Sequence, residues 1–470
     1  MPASVFSYIV DGKEIPFKKV PPPPDEGIGL HEEEGQSVRR SVFADRFGHE
    51  IALTNDVLVR FKEHVHEADL EALVNGLHLS TLRKKGRVWK LSVPDRDEDA
   101  PLIIAQALAK SPLVHWAEPS VQHTVKLAGP QQAPLFGKQW YLLNTGQNGG
   151  VPGADAGAIE AWEITRGSPD ISVVVHDSGV DLTHPNLAPN VAPGWNFDDT
   201  TADANPPPGS PLAAHGTACA GIVAAAANDT GITGIAPGCK IVPLRATGNL
   251  SSEQWAETID WAADHGQVVS CAWTSAPTNV MTEAIRRAVE KGVTLLFAVG
   301  NDAQEQVGIA YPASLSDVIA VGASTNLDVV ADYSQTGPGL DLLAPSHGGT
   351  LKMQTTDIQG SRGFNPRKEA AGDYCEADGA SGFGGTSAST PLVAGVVALM
   401  LSVDPTLKPA EIRQILCDTA VKIDPENAKY DENGWSPSYG YGRVHAGAAL
   451  RRVTAMKLAR SANAASSTRG

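Results

Sequence analysis

The spacing of apolar positions changes character twice along the chain. Residues 56–61 (DVLVRF) alternate apolar and polar side chains, and 87–93 (RVWKLSV) and 113–117 (LVHWA) do the same. That period of two is the signature of a strand with one buried face. Between them, 67–75 (EADLEALVN) and 101–110 (PLIIAQALAK) carry apolar residues at helical spacing. Pro101 opens the second, where a missing N–H costs nothing. With a weaker strand over 77–82, the order is βαββαβ, a small ferredoxin-like unit over 53–124. Before it, residues 1–52 are polar and broken by Pro21, Pro22, Pro23 and Pro24 and by the acidic run Glu32, Glu33, Glu34. They are expected to form a mobile extension. Residues 125–138 (VKLAGPQQAPLFGK) lose all periodicity and read as a linker.

From residue 139 the pattern is different. Near-continuous apolar runs such as 171–175 (ISVVV) and 293–298 (VTLLFA) alternate with helical stretches at 253–264, 281–291 and 388–402. Strands apolar on both faces belong to a sheet covered on both sides, so an α/β, doubly wound, mostly parallel sheet is expected over 139–451. Residues 452–470 are small and basic without periodicity, and are expected to be a disordered tail.

Composition narrows the function. The chain has 470 residues, 42% apolar and 19% charged, enough for one large core and a smaller one. A net charge of −16 repels phosphate backbones, which argues against a nucleic-acid partner. The five cysteines are odd in number and scattered, with no CxxC pair, so they read as buried free thiols rather than a disulfide framework or a zinc site. No run of about 18 apolar residues suggests a membrane span. The N-terminus lacks a signal-type apolar stretch, so a cytoplasmic location is the default expectation.

Three segments carry candidate chemistry: VVVHDSGVDLTHPNL with Asp177 directly after an apolar strand, AAHGTACAGIVAAAA with His215 opening a small-residue helix, and FGGTSASTPLVAGVVALML with Ser387 near the start of another. In doubly wound folds the crevice lies beyond the carboxyl ends of the strands, where Asp177 would emerge. A buried carboxylate there fixes one imidazole tautomer and turns the other nitrogen toward a nucleophile. A serine at a helix N-terminus has free backbone N–H groups beside it for a developing oxyanion. Gly384 and Gly385 let a substrate backbone come close, and Pro391 is expected within the helix's first turn. In LLFAVGND, Asn301 follows a buried strand and offers an amide to the same oxyanion.

In this order, these segments resemble the subtilisin-like (subtilase) serine peptidases, over about residues 138–450. The resemblance implies Asp177, His215 and Ser387 as the catalytic triad, Asn301 in the oxyanion hole, and an acyl-enzyme route that needs no cofactor. It also implies that 56–117 is an inhibitory propeptide, so that the chain is a self-processing zymogen. Its partners would then be protein or peptide substrates and its own propeptide. Ala272, Trp273 and Thr274 stand where the family pairs substrate backbone, and depart from its usual Ser-Leu-Gly or Ser-Trp-Gly. Ala310 falls at the base of the primary side-chain pocket and Asp302 near its rim. Asn186 replaces an aspartate common at a calcium site, and Asn228 matches a further ligand, so a structural calcium is expected to be weakly held. Cys219, four residues after His215, matches a cysteine of some relatives and reads as an inert buried thiol. His176 interrupts its apolar strand and reads as a satisfied core or edge residue. Two other classes stay open: an inactive binding protein of subtilase shape, and an acyl transferase or peptide ligase.

Overall fold

In the computed structural model, the alternating segments of the first third build antiparallel sheet. The structure describes residues 5–10, 13–20, 30–33, 36–39, 41–44, 50–94, 97–123, 133–209, 211–248, 250–305, 308–368 and 372–467. Two units divide between Gly129 and Pro130. The first contains β1 (Val5–Val10), β2 (Lys13–Val20), a separate ribbon of β3 (Leu30–Glu33) and β4 (Gln36–Arg39), and β5 (Val42–Ala44). There follow β6 (Glu50–Phe61), α1 (Glu67–Gly76), β7 (Ser80–Lys85), β8 (Val88–Ser92), α2 (Ala100–Ala109) and β9 (Val114–His123). The strands run β9-β6-β8-β7, all antiparallel, the ferredoxin-like order. Val57, Val59 and Phe61 of β6 and Trp89 and Leu91 of β8 share one face. They pack on Leu70 and Val74 of α1 and on Ala105 and Leu108 of α2.

The N-terminal residues do more than extend the chain. At 12 residues, β6 outruns β8, and β5 pairs with its first part (Val42↔Ala52, Phe43↔Ile51). β2 then pairs with β5 and β1 with β2, with Phe43 buried. An open edge on a long strand recruits partners. Pro16 and the proline run obscure the periodicity that would have announced them.

The second unit begins inside the expected linker. Residues 124–132 lie outside the described residues, but Phe136 is buried, its ring centroid 5.9 Å from that of Trp162. After α3 (Ala158–Trp162) come β10 (Ser172–Asp177), β11 (Trp195–Asn196), α4 (His215–Ala224), β12 (Lys240–Arg245), α5 (Ser252–His265), β13 (Val268–Cys271), α6 (Asn279–Glu290), β14 (Thr294–Ala298), β15 (Ile319–Ser324) and β16 (Leu342–Pro345). The short pair β17 (Thr355–Thr356) and β18 (Tyr374–Cys375) precedes α7 (Thr386–Val403), α8 (Pro409–Thr419), α9 (Pro425–Ala428) and α10 (Ala446–Ser467).

The main sheet runs β11-β12-β10-β13-β14-β15-β16, and every pairing is parallel. Val174, Val269 and Leu295 face α5 and α6, while Val173, Val175 and Leu296 face α4, α7 and α8. From β10 the chain winds outward to β11 and β12, then returns to β13 on β10's other side. The direction of winding therefore reverses at β10, and such a switch opens a crevice at the strand's carboxyl end. Asp177 is the last residue of β10. The helix α7 is long and apolar enough to cross a membrane, but most of it is buried within this core.

The end of the chain corrects the expected tail. Helix α10 continues to Ser467, with Leu450 and Val453 fully buried. Arg460 donates to Asp404 at 3.2 Å and pairs with Glu411. Its alanines favour helix without marking a face, so no amphipathic stripe stands out. Val453→Ala is expected to cost about 2 kcal/mol, from two lost carbons at about 0.8 kcal/mol each plus a residual cavity. Leu458→Ala, at a side chain 67% exposed, should stay within about 0.5 kcal/mol. Urea unfolding of the two variants checks this, and equal midpoints would contradict a packed helix.

Candidate active site

The crevice beyond β10 is built around one buried carboxylate. Asp177 accepts from the Ser178 N–H at 2.7 Å, and His215 Nδ1 lies 2.8 and 2.9 Å from its two oxygens. His215 is the first residue of α4, whose N-terminus must approach the β10 loop closely. Gly216 permits this, since a Cβ there would sit 2.3 Å from the Gly179 carbonyl. Burial disfavours the charged imidazole, but the Asp177 charge and hydrogen bond outweigh it and hold the His215 pKa above its ordinary 6.5. Burial also works against the Asp177 anion. The His215 charge and the bonds from His215 and Ser178 overcome it, so its pKa stays below 3.8. With Nδ1 committed to Asp177, Nε2 is left for the crevice.

Ser387 is the second residue of α7, behind Gly385 at φ +79°, a conformation that favours glycine. Its hydroxyl donates to the Ala272 carbonyl at 3.3 Å. Asn301, exposed just past β14, accepts through Oδ1 from the Thr386 N–H at 2.8 Å and the Thr386 hydroxyl at 3.0 Å. Its Nδ2 therefore points away from that pair, and a Cβ on Gly385 would lie 3.2 Å from it. Asp177 thus meets His215 directly, Asn301 meets Thr386 beside Ser387, and the Ser387 hydroxyl meets Ala272, which lines the same cavity as Asp177 and His215.

Pro391 lies a turn deeper than expected, at the sixth helical position. There its missing N–H leaves the Ser387 carbonyl without its i+4 donor. Cys219 takes over: its thiol donates to the Ser387 carbonyl at 3.4 Å and lies 3.8 Å from His215 Nδ1. The thiol thus joins α4 to α7. Ligand atoms of Asp177, His215 and Cys219 lie within 4.8 Å of one another. Burial holds the thiol pKa well above 9.0 and its proton is in use, so the group reads as side-chain packing rather than a metal cage.

Beside His215 opens a cavity of about 450 Å³, lined by Asp177, Pro207, Trp255, Ala272 and Trp273 among others. Thr274, past the end of β13, is exposed, as is Asp302. Ala310 is half-buried, its N–H bonded to the Val299 carbonyl at 2.9 Å and its Cβ under Gly300. His176 is fully buried between Trp255 and Trp273. It is a core residue but not a satisfied one: Nε2 has no partner among the described residues, and burial pushes its pKa down to about 3.

The expected calcium site is rearranged. Asn186 is fully buried, and its Nδ2 donates to the Ala226 carbonyl (3.0 Å), Asn228 Oδ1 (3.1 Å) and the Ile232 carbonyl (3.0 Å). Its Oδ1 accepts from the Ile232 N–H at 2.8 Å and the Tyr374 hydroxyl at 3.0 Å. The convergent oxygens that would hold a cation already surround an amide NH₂, and Asn186 has no oxygen left for a metal. Asn186 and Asn228 do meet, but as a hydrogen-bonded pair.

Several supporting residues went unforeseen. Thr355 and Thr356 donate to the Ala218 and Thr217 carbonyls of α4, each at 2.7 Å. Ser346 and His347 hold the Gly385 peptide from both sides. In the sequence they appear only as a polar pair directly after the apolar strand segment LLAP, which names no partner for either.

Residues 168–442 match the pattern of the subtilase family. The chain belongs to that family. This subtilase is 30% identical over 433 residues to a calcium-dependent protease of a Nostoc species, an alignment covering 84% of this chain and 63% of the relative. It therefore spans less than two thirds of that relative's length. It is also 30% identical over 401 residues to a thermophilic serine proteinase of a Bacillus species, covering 83% of this chain and 86% of the relative. Among solved structures, the serine protease of Aeromonas sobria, in a complex with a chaperone, shares the fold at a TM-score of 0.61 and 24% identity. That alignment covers 69% of this chain and 67% of the other.

Proposed function

We propose that this subtilase is a serine endopeptidase working through Ser387, His215 and Asp177. The observation that carries the reading is the Asp177–His215 pair, linked through Cys219 to the Ser387 carbonyl, with Asn301 held on Thr386 at the N-terminus of α7. Rotation about χ1 moves the Ser387 hydroxyl from the Ala272 carbonyl to His215 Nε2. His215 accepts the proton as Oγ attacks the scissile carbonyl carbon. The oxyanion receives hydrogen bonds from the Ser387 N–H and Asn301 Nδ2. Collapse breaks the C–N bond, His215 gives its proton to the departing amine, and an acyl-enzyme remains. Water then repeats the sequence, losing its proton to His215 and displacing Ser387. The cavity beside His215 suits an apolar substrate side chain. Asp177, the one acid lining it among the described residues, is engaged by His215, so a basic side chain finds no free partner among them there.

The first unit is proposed as the inhibitory propeptide, with maturation cutting the chain between the units. Its own apolar core, built from β6, α1, β8, α2 and β9, supports this division. Ser387→Ala is expected to abolish casein cleavage and leave the full-length chain uncut. Losses for such changes reach about 10⁶-fold in subtilisin, the family's namesake. Intact mass after incubation checks both outcomes, and a cut, active Ser387→Ala preparation would refute the assignment.

The reaction needs neutral His215, so kcat/KM should rise with pH along an acid limb whose midpoint lies above 6.5. Asp177→Asn removes what raises that pKa and leaves the effect of burial, so the limb should move to lower pH as the rate falls by about 10⁴. Stability has the opposite sign: the His215 contribution is complete below pH 6.5 and is lost as pH rises through the higher folded-state value, while that of Asp177 is complete above pH 3.8 and is lost as pH falls through its lowered one. A pH–rate profile with its midpoint below 6.5 in the wild type would contradict this electrostatic balance.

Some relatives are named for calcium dependence. Here the Asn186 amide is proposed to replace the ion in the 226–232 loop. Asn186→Asp should lower stability by about 1–3 kcal/mol without calcium, because a carboxylate cannot donate to three oxygens. It should then gain a calcium-dependent Tm that the wild-type loop lacks. Thermal melts with and without chelator decide, and equal calcium responses in the two proteins would count against the replacement.

A further inference from the structure

Beyond the triad and the oxyanion donors, the structure assigns His347 as a positioning residue for the nucleophile. The inference rests on the peptidase reading of Ser387. His347 Nδ1 accepts the Gly385 N–H at 2.8 Å, and the Ser346 hydroxyl donates to the Gly385 carbonyl at 2.7 Å. Two consecutive side chains therefore grip both ends of one residue, two positions before Ser387. The ring lies so close to the loop that a Cβ on Gly384 would be 2.1 Å from Nδ1. On its other side, Tyr333 stacks almost parallel to the imidazole, with centroids 4.5 Å apart and planes 15° apart, and its hydroxyl donates to the His347 carbonyl at 2.8 Å.

This clamp acts where the loop is least constrained by itself. Gly385 is a glycine at φ +79°, with an intrinsically wide conformational range. Its orientation sets the first turn of α7, and so the directions of the Ser387 Oγ and N–H. Asn301 holds only the next residue, Thr386. A backbone N–H can only donate, so Nδ1 must present a lone pair and the ring proton sits on Nε2. His347 thus acts as a fixed acceptor and touches no reacting atom. Nothing in the segment PSHGG marks it as such before the fold brings β16's end against the α7 N-terminus.

The test compares the wild type with His347→Leu, His347→Asn and His347→Gln as full chains allowed to mature. Acylation bursts count competent sites, and fluorophosphonate labelling gives a second rate. Asparagine places its carbonyl oxygen where Nδ1 lies, whereas the glutamine acceptor is one bond further out. His347→Leu is expected to lower kcat per competent site and the labelling rate by at least about tenfold, since a misplaced reacting atom costs up to about 10²-fold. KM should stay within about twofold, as for interactions realised only in the transition state. His347→Asn should recover to within about threefold of wild type and His347→Gln should not, by the geometric requirement of hydrogen bonding. If His347→Leu fails to fold, the Asn–Gln contrast carries the test. Wild-type kcat in His347→Leu, equal impairment of Asn and Gln variants, or a loss carried by KM would each overturn the clamp. A wild-type chain that fails to react with fluorophosphonate would instead sink the peptidase reading, and this inference with it.

Discussion

A charged carboxylate buried at the reversal point of a parallel sheet is the constraint to which the rest of the second unit answers. Asp177 ends β10 with little solvent around it, and an unpaired ion there would cost several kcal/mol. It must be met by donors that the sheet itself cannot supply, because β10's backbone groups are engaged by β12 and β13. The Ser178 N–H gives one and the His215 ring the other. Bringing that ring in forces α4's first turn against the β10 loop, which only the small Gly216 allows. The demand for charge pairing thereby fixes the tautomer of His215 and its direction.

Placing Ser387 is a separate problem of helix docking. Helix α7 is held along its length by apolar contacts, which set its depth but leave its axial position less sharply defined. Polar contacts at its first turns supply that precision. Asn301 takes Thr386, Ser346 and His347 take Gly385, and Cys219 takes the carbonyl that Pro391 leaves open. Thr355 and Thr356 fix α4 on its far side. Each of these bonds is short-range and directional, so the crevice gains rigidity from neutral groups without adding charge near Asp177.

The sequence disclosed what depends on repeated local pattern. The βαββαβ order and the α/β character follow from periodicity, and the four central residues sit at strand–helix junctions with recognisable glycines. The N-terminal strands escaped because Pro16 and the proline run interrupt their alternation, and because pairing of β5 depends on the excess length of β6. Helix α10 escaped because alanine raises helix propensity without showing which face is buried. Asn186 shows a different limit. Its residue type was read as a weakened metal ligand, but an asparagine can equally donate, and only the three oxygens around Nδ2 decide between the two. His347 was unreadable for a related reason, since its partner is a backbone N–H 38 residues away.

The buried amides of this unit follow one logic. Asn186 bridges the loop after α4 to its own segment, and Asn190 donates to the Ala224 and Pro237 carbonyls at 2.9 and 2.7 Å. Gln139 donates to the Thr233 carbonyl at 2.8 Å and accepts the Thr233 N–H at 2.9 Å. All three tie residues 224–237, the return path from α4 to β12, to the rest of the core. A cation could collect the same carbonyls, but it could not also accept an N–H, and a bare charge must give up far more hydration to enter. An amide does both jobs in one plane, provided every partner arrives at the right distance together. That requirement makes the loop's anchoring cooperative with the fold, and it couples α4, hence His215, to a part of the molecule that substrate need never touch.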